Sequence, residues 1–449
     1  MAKILTEAEA KEILTRVLRL SKADNCEVSL QGGEHNNIRY ARNEVSTCGS
    51  SEYKSLQVQS AFGKKVGTAT IDEFDDAAFE KVVRRSEELA RLAPENPEYV
   101  SPLGPQTYGG SNGYFASTAT LSAADRAAAI GKSLQVSKAQ AGGSLLTAGY
   151  LEDQVLYSAM MNSKGLFAYY PSTQVNFTLT VRTQDGTGSG FAARGTGDFS
   201  KLDTEATTRI ATYKALGSAG AKALEPGKYT VILEPLAGAV LLEHLFSNLD
   251  ARSADEGRSF LSQMGGKTRL GEKLMDERVT IYSDPMNPDL PSAPWAGDGR
   301  PLQKINWIEK GVVKNMTYSR YWAQKKGVTG SPPPSNFMME GGNTSLEDMI
   351  KSTDRGILVT KFWYIRSVDP QTLLLTGLTR DGTFYIENGK IKHPVKNFRF
   401  NESPVIMLNN VEALGKPERV VSTEGSLENY LVPPMKIRDF TFSSLSDAI

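Results

Sequence analysis

Apolar residues along the first half of the chain recur at two spacings, helical and alternating, and the switches between them outline the elements. Ile13, Leu14, Val17 and Leu18 fall on one helical face and predict a helix over residues 6–22. "CEVSLQGG", "NNIRYARNEVS" and "YKSLQVQSAFGKKVGTATI" alternate and read as strands, the last folded at Phe62-Gly63-Lys64-Lys65 into a hairpin. "DDAAFEKVVRRSEELARLAP" returns to helical spacing, with Asp72 or Asp75 to cap its start and Pro94 to end it. Residues 94–120 are rich in Pro and Gly and read as a surface loop. A helix follows over residues 122–141, then strands through "SLLTAGYLEDQVLYSAMMNSKGLFAYYPSTQVNFTLTVRT", turned at Asn162–Gly165. "DTEATTRIATYKALGSAGAKAL" is a further helix.

Pro226-Gly227 interrupts this order, and "YTVIL" restarts it as a buried strand. Next comes "AVLLEHLFSNL", where Leu241, Leu242, Leu245, Phe246 and Leu249 recur so densely that most of the helix must be buried. Beyond it the pattern is mainly strand and turn, with Arg380-Asp381-Gly382 and Glu387-Asn388-Gly389-Lys390 as hairpin signals. The expectation is an α+β protein: an N-terminal α/β-layer domain over 1–224 and a β-rich C-terminal domain over 225–449.

Composition changes little in this picture. Of 449 residues, 40% are hydrophobic and 23% charged, which suits a globular chain with two or three cores. Lys plus Arg equals Asp plus Glu, 51 against 51, so no basic excess points to nucleic acid, and direct nucleic-acid binding is not expected. Two cysteines, Cys26 and Cys48, exclude a disulfide framework and favour a reducing compartment. The first twenty residues carry acidic side chains at helical spacing and do not read as a signal peptide. No apolar run approaches the roughly 18 residues of a membrane span. A cytoplasmic location without membrane association is the expectation.

Candidate chemistry is sparse. "LLEHLF" holds a Glu-His pair where a zinc-protease helix would read H-E-x-x-H, two imidazoles and a general-base carboxylate one turn apart. Glu243 comes first, His244 second, and no histidine follows. The other imidazoles are His35, in "QGGEHNN", read as a turn, and His393, after a hairpin strand; nothing in spacing brings either to His244. The bland reading of Glu243-His244 is a polar pair on a buried helix, satisfied by hydrogen bonds. Cys26 and Cys48 flank His35 in sequence but read as buried or idle thiols. The serines of "RSADEGRS" lack a G-x-S-x-G elbow, and the Gly-rich "GDGRP" and "GTGSGFAARGTG" lack phosphate-loop order. Two aromatic groups, Tyr318, Tyr321, Trp322 and Phe362, Trp363, Tyr364, suit either a core or an interface.

The ordered pieces "RYARNEV", "SLQVQSAFGKKVGTAT", "DARSADEGRSFLSQMGGK", "TIYSDPMNPDLPSAPWAGDGRP", "WIEKGVVKNMTYSRYWAQKKGVTG", "TDRGILVTKFWY" and "GLTRDGTFYIENGKIKHPVKNFRFNESPVIMLNNVEALG" resemble, in that order, the TldD/PmbA family. This family was once described as modulators of DNA gyrase and is classed with zinc metallopeptidases. The resemblance implies two arms. In the active arm an H-E-x-x-x-H helix and a late cysteine hold zinc. In the PmbA (TldE) arm those residues are missing and the chain is a partner subunit. Overlaid on the motif, Glu243 takes the first histidine position, His244 the glutamate position and Asn248 the second histidine position. The late region "VVSTEGSLENYLVPPMKI" has no cysteine, and "WAGDGR" (residues 295–300) replaces a more acidic stretch.

The resemblance therefore implies a catalytically degenerate homologue without zinc or other cofactor of its own. It would be a homodimer, or a heterodimer with an active TldD-like subunit, around a peptide or protein substrate. Two other readings stay open. One is an active peptidase with an unorthodox metal site at Glu243 and His244; the other is a non-proteolytic, protein-binding regulator of the gyrase-modulator type.

Overall fold

The first helix, α1 (Glu7–Leu20), starts where Thr6 and Glu9 close a capping box and buries Ala10, Leu14 and Val17. It covers part of a long antiparallel sheet in this computed structural model, which describes residues 4–140, 145–422 and 429–446. The sheet holds β1 (Asn25–Ala41), β2 (Glu44–Phe62), β3 (Lys65–Ile71), β4 (Leu145–Asn162), β5 (Phe167–Thr183) and β6 (Ser189–Thr196) in the order β3-β2-β1-β4-β5-β6. Helix α2 (Asp76–Leu92), capped by Asp75, shares one core with α1, built on Leu14, Val28, Leu56, Phe79 and Val83. After the one-turn α3 (Ala116–Ala119), helices α4 (Ala123–Gln140) and α5 (Thr204–Gly217) pack on the other reach of the strands, around Tyr40, Ile130, Phe177 and Ala211.

The remaining strands make two further sheets around a third core. β7 (Gly227–Leu233) is central to a nine-stranded sheet, between a parallel neighbour and an antiparallel one. Being flanked on both sides explains its continuous apolar run. Helix α6 (Pro235–Phe246) follows at once. Two short strands, β8 (Ser262–Gln263) and β9 (Lys267–Thr268), pair with each other. A six-stranded sheet takes β10 (Ile281–Ser283), β11 (Ile305–Glu309), β12 (Val312–Val313) and β13 (Met338–Met339). The larger sheet takes β14 (Arg355–Val359), β15 (Phe362–Asp369), β16 (Leu374–Thr379), β17 (Thr383–Glu387), β18 (Lys390–Pro394), β19 (Phe398–Glu402) and β20 (Val411–Leu414). β21 (Glu418–Val421) and β22 (Asn429–Val432) then complete the smaller sheet, and β23 (Met435–Leu445) pairs with β7 in the larger one. The fold is α+β, with a β-rich C-terminal half.

Three local expectations are corrected. "NNIRYARNEVS" is not one strand: β1 runs unbroken for 17 residues and reverses at Arg42-Asn43, both at positive φ (52° and 67°). An Arg-Asn pair is not the usual sequence for such a turn. Its tertiary anchor is Asn43, whose amide donates to the Leu145 carbonyl and accepts from the Thr147 N–H, each at 2.8 Å. His35, expected in a turn, lies inside β1. Arg380-Asp381-Gly382 is not a hairpin either, since four strands separate β16 from β17 in the sheet. Asp381 is drawn inward: Ser189 Oγ donates to its Oδ1 at 2.6 Å and Lys361 Nζ to its Oδ2 at 3.1 Å. The turn serves a buried ion pair and not the end of a ribbon. The Glu387–Lys390 turn does join paired strands, β17 and β18.

The packing of α6 sets an expectation. Leu242 is fully buried in the core with Val231, Leu233 and Val432. Leu242→Ala should destabilise the protein by about 3 kcal/mol through lost burial and a residual cavity; the midpoint of urea unfolding, at unchanged slope, measures it.

Candidate functional site

Helix α6 starts cleanly because Glu234 stands at its cap and Pro235 at its first position, where no backbone donor is needed. Lys214 of α5 forms an ion pair with Glu234, tying the head of α6 to the N-terminal half. Nine of its twelve residues are buried, leaving Pro235, Glu243 and His244 partly accessible. At Gly238 an added Cβ would sit 2.3 Å from Met435 Cε, so a larger residue here would need the end of that methionine to shift. The helix ends at Phe246, with Ser247 as its C-cap. Asn248 thus lies beyond the helix.

The structure gives each of the three overlaid residues a different occupation. Ser422, fully buried just past β21, donates its hydroxyl to Glu243 Oε2 at 2.6 Å. Asn248 donates its amide to the His244 carbonyl at 2.7 Å, closing the last turn. The His244 ring has no hydrogen-bond partner among the described residues. Burial pushes its pKa down from the ordinary 6.5, and the Arg366 guanidinium pushes in the same direction, so the neutral imidazole is favoured. Adjacent residues on a helix point about 100° apart, so Glu243 and His244 do not face one point.

A catalytic zinc needs three Cys, His or carboxylate donors converging on an open position. Here one carboxylate accepts from a serine, one amide is folded onto the backbone, and one imidazole stands apart; this set does not fit zinc. Among the described residues, no three His, Cys, Asp or Glu side chains converge as a metal site. The late region read above as lacking a cysteine lies partly outside the described residues, at 423–428.

The other candidates scatter. His35 Nε2 meets Glu152 Oε2 at 3.0 Å, far along the N-terminal sheet, while His393 lies in β18 beside Tyr385. Cys26 is buried opposite Ser60 and its thiol pKa is raised by burial; Cys48 is exposed opposite Ile38. Of the serines of "RSADEGRS", Ser253 donates to Asp250, the cap of a short helix, and Ser259 to the Asn248 carbonyl. "WAGDGR" is a tight turn in which Arg300 pairs with Asp298 and donates to the Tyr318 carbonyl at 2.6 Å. The aromatic groups divide. Trp322 is buried with its Nε1 donating to Asp255, and Phe362 is core. Trp363 and Tyr364 are 36% and 53% exposed, on a strand that forms the edge of the large sheet. Tyr364 holds a left-handed backbone (φ 57°) at an irregular step in the β15 pairing.

Sequence reasoning missed Ser422, Arg419 and Asn429. Arg419 lies in β21, Ser422 just past it and Asn429 opposite in β22, and "ERVVS" carries no local sign of their role.

Three family models match the chain. They describe the PmbA/TldA metallopeptidase domain 1 over residues 26–90, its central domain over 114–219 and its C-terminal domain over 226–444. A protein of Methanothermobacter thermautotrophicus named metalloprotease is 27% identical over 286 residues, 59% of this chain and 61% of its own length. The metalloprotease PmbA of Escherichia coli O157:H7 is 23% identical over 293 residues, 62% of this chain and 61% of its own. The chain thus spans less than two thirds of the length of these curated relatives. Among solved structures, TldE from Thermococcus kodakarensis superposes with a TM-score of 0.86 at 19% identity, covering 97% of this chain and 99% of its own. That likeness concerns the fold. No helix among the described residues is long and apolar enough to cross a membrane.

The depressed His244 pKa has a consequence for stability. As pH falls through 6.5, the unfolded chain takes up this proton before the folded chain does. Stability is therefore lost with falling pH between the unfolded value and the lower folded one. His244→Gln should reduce the drop in melting temperature between pH 7 and pH 5 relative to the wild type; parallel thermal melts at the two pH values test this.

Proposed function

The chain belongs to the PmbA/TldD metallopeptidase family, and from that premise we propose that it is a catalytically silent member acting as the partner subunit of a peptide-processing complex. One observation carries the reading. Two of the three overlaid positions are engaged in the scaffold, Glu243 by accepting from buried Ser422 and Asn248 by closing the helix, and among the described residues no set of donors converges on them as a metal site. In this reading an intact H-E-x-x-x-H homologue supplies zinc and base, and this chain supplies wall and binding surface. The exposed Trp363 and Tyr364 beside the unpaired edge of β15 are the natural place for that subunit to dock, because aromatic side chains at a strand edge offer both area and backbone partners.

The purified chain should show no chelator-sensitive cleavage of fluorogenic peptides, and activity should appear on adding the intact homologue from the same cell. Turnover by the chain alone, abolished both by a chelator and by His244→Ala, would overturn the proposal. The double substitution of Trp363→Glu and Tyr364→Asp should weaken association with that homologue by about tenfold or more, as loss of a hot spot does. Its melting temperature should fall by only a few degrees, since neither side chain belongs to a buried core cluster. Sedimentation at graded concentration reads the first quantity and a thermal melt the second.

A further inference from the structure

The β21–β22 hairpin has two faces. Val420, Tyr430 and Val432 belong to the core around α6. The alternate positions, Arg419 and Val421 opposite Leu431 and Asn429, turn the other way, where Val421 packs with Phe191 and Ala193 of β6. Arg419 is therefore half-buried between the two halves of the molecule. Its Nε donates to Asn429 Oδ1 and its Nη1 to the Asp289 carbonyl, each at 3.0 Å. Nη2 has no acceptor among the described residues, and no carboxylate there lies within ion-pairing reach. Desolvation pulls the guanidinium pKa down to about 10, only partly opposed by the more distant Asp289 and by Tyr170.

A line of hydrogen bonds fixes how this arginine is held. Asn429 accepts from Arg419 through Oδ1, so its Nδ2 is the end that donates to Asn176 Oδ1, at 3.3 Å. Asn176 in turn donates through Nδ2 to Glu152 Oε1 at 3.0 Å, and Glu152 Oε2 meets His35. A guanidinium can only donate and a carboxylate can only accept, so the two ends dictate the sense of both amides between them. The line crosses from β22 through β5 and β4 to β1. It leaves no room for variation at Gly195, where an added Cβ would stand 2.1 Å from Asn429 Oδ1.

Arg419 and Asn429 line a cavity of about 570 Å³ together with Tyr170, Gln174, Phe337 and Tyr430, a volume within the range of small-ligand sites. Phe337 stacks on Phe246 of α6 with ring centres 4.4 Å apart, and Tyr430 leans on the same ring at 5.7 Å. The cavity thus offers an aromatic floor resting on the motif helix and one oriented cation with no ion-pair partner among the described residues. We propose that it binds the free carboxylate end of a peptide, with Arg419 holding the carboxylate and the partly accessible Phe337 receiving an apolar last side chain. A planar, singly charged, two-oxygen group matches a guanidinium fork. A phosphate dianion is disfavoured because the neighbouring Arg194 is already paired with Glu418 at 3.2 Å and adds no free second charge. The inference names the ligand end for the peptide-handling surface proposed above and rests on that reading.

Calorimetric titration of the full chain with acetyl-Ala-Ala-Phe as the free acid and as the C-terminal amide tests it. The acid should bind about tenfold tighter, the scale of a charge-assisted hydrogen-bond pair. Arg419→Gln should bring the two forms to equal affinity, and Arg419→Lys, which keeps the charge but not the fork, should retain only part of the preference. The lysine variant also serves if the glutamine variant does not fold. Equal binding of acid and amide by the wild type, no binding of either, an acid preference untouched in Arg419→Gln, or stronger binding of inorganic phosphate than of the peptide acid would each overturn the inference. Association with the intact homologue should be unaffected by Arg419→Gln, so loss of the carboxylate site and loss of the subunit role are separate results.

Discussion

A helix that is apolar around almost its whole circumference has to be enclosed, and the C-terminal half of this protein is organised to enclose one. Helix α6 presents Leu236, Val240, Leu241, Leu242, Leu245 and Phe246 in directions too various for a single sheet to cover. β7 and β23 meet it on one side, and β21 and β22, with Phe337 and Tyr430 over Phe246, meet it on another. Once so many neighbours depend on the helix, its polar positions can change identity while its apolar ones stay fixed by packing. Glu243 and His244 occupy the two partly accessible sites late in the helix, where replacement disturbs the core least.

The seam between the N-terminal sheet and this body carries polar ties beside the apolar contact of Val421 and Leu236 with Phe191 and Ala193. Lys214 pairs with Glu234 across it, Ser189 and Lys361 converge on Asp381, and the Asn176–Asn429 amides meet nearby. Buried pairs of this kind recover their desolvation cost only when each partner is in place. Their contribution is to choose one alignment of the two halves, since sliding by a residue would leave several charges enclosed without partners.

Helices and simple reversals were legible because their determinants are local. Asp75 and Thr6 cap, Pro94 follows a helix end, and Asn162–Gly165 and Glu387–Lys390 carry turn chemistry in their own letters. Features decided at a distance were hidden. Arg42-Asn43 turns because β4 receives the Asn43 amide, His35 is in a strand because β4 pairs beside it, and Asp381 turns inward because Lys361 and Ser189 await it. The site divides in the same way. Glu243 and His244 stood out in sequence as a motif with altered letters, whereas Ser422, Arg419 and Asn429 gained meaning only when β21 was set against β22 and β6. A single arginine at the start of a strand carries no local mark of what it will face.

The sheet order leaves one long border uncovered. β3 pairs only with residues 56–62 of β2, so residues 44–55 have β1 on one side and solvent on the other. That stretch is exposed along its length and written in Ser, Glu, Lys and Gly, a composition that discourages other chains from adding to it. Cys48 stands in the middle of it as an accessible thiol. Air oxidation during storage would join two such ribbons through Cys48 and produce a covalent species of twice the mass, indistinguishable by size from a true dimer. Subunit stoichiometry for this protein is therefore meaningful only when measured with the thiol kept reduced or replaced by serine.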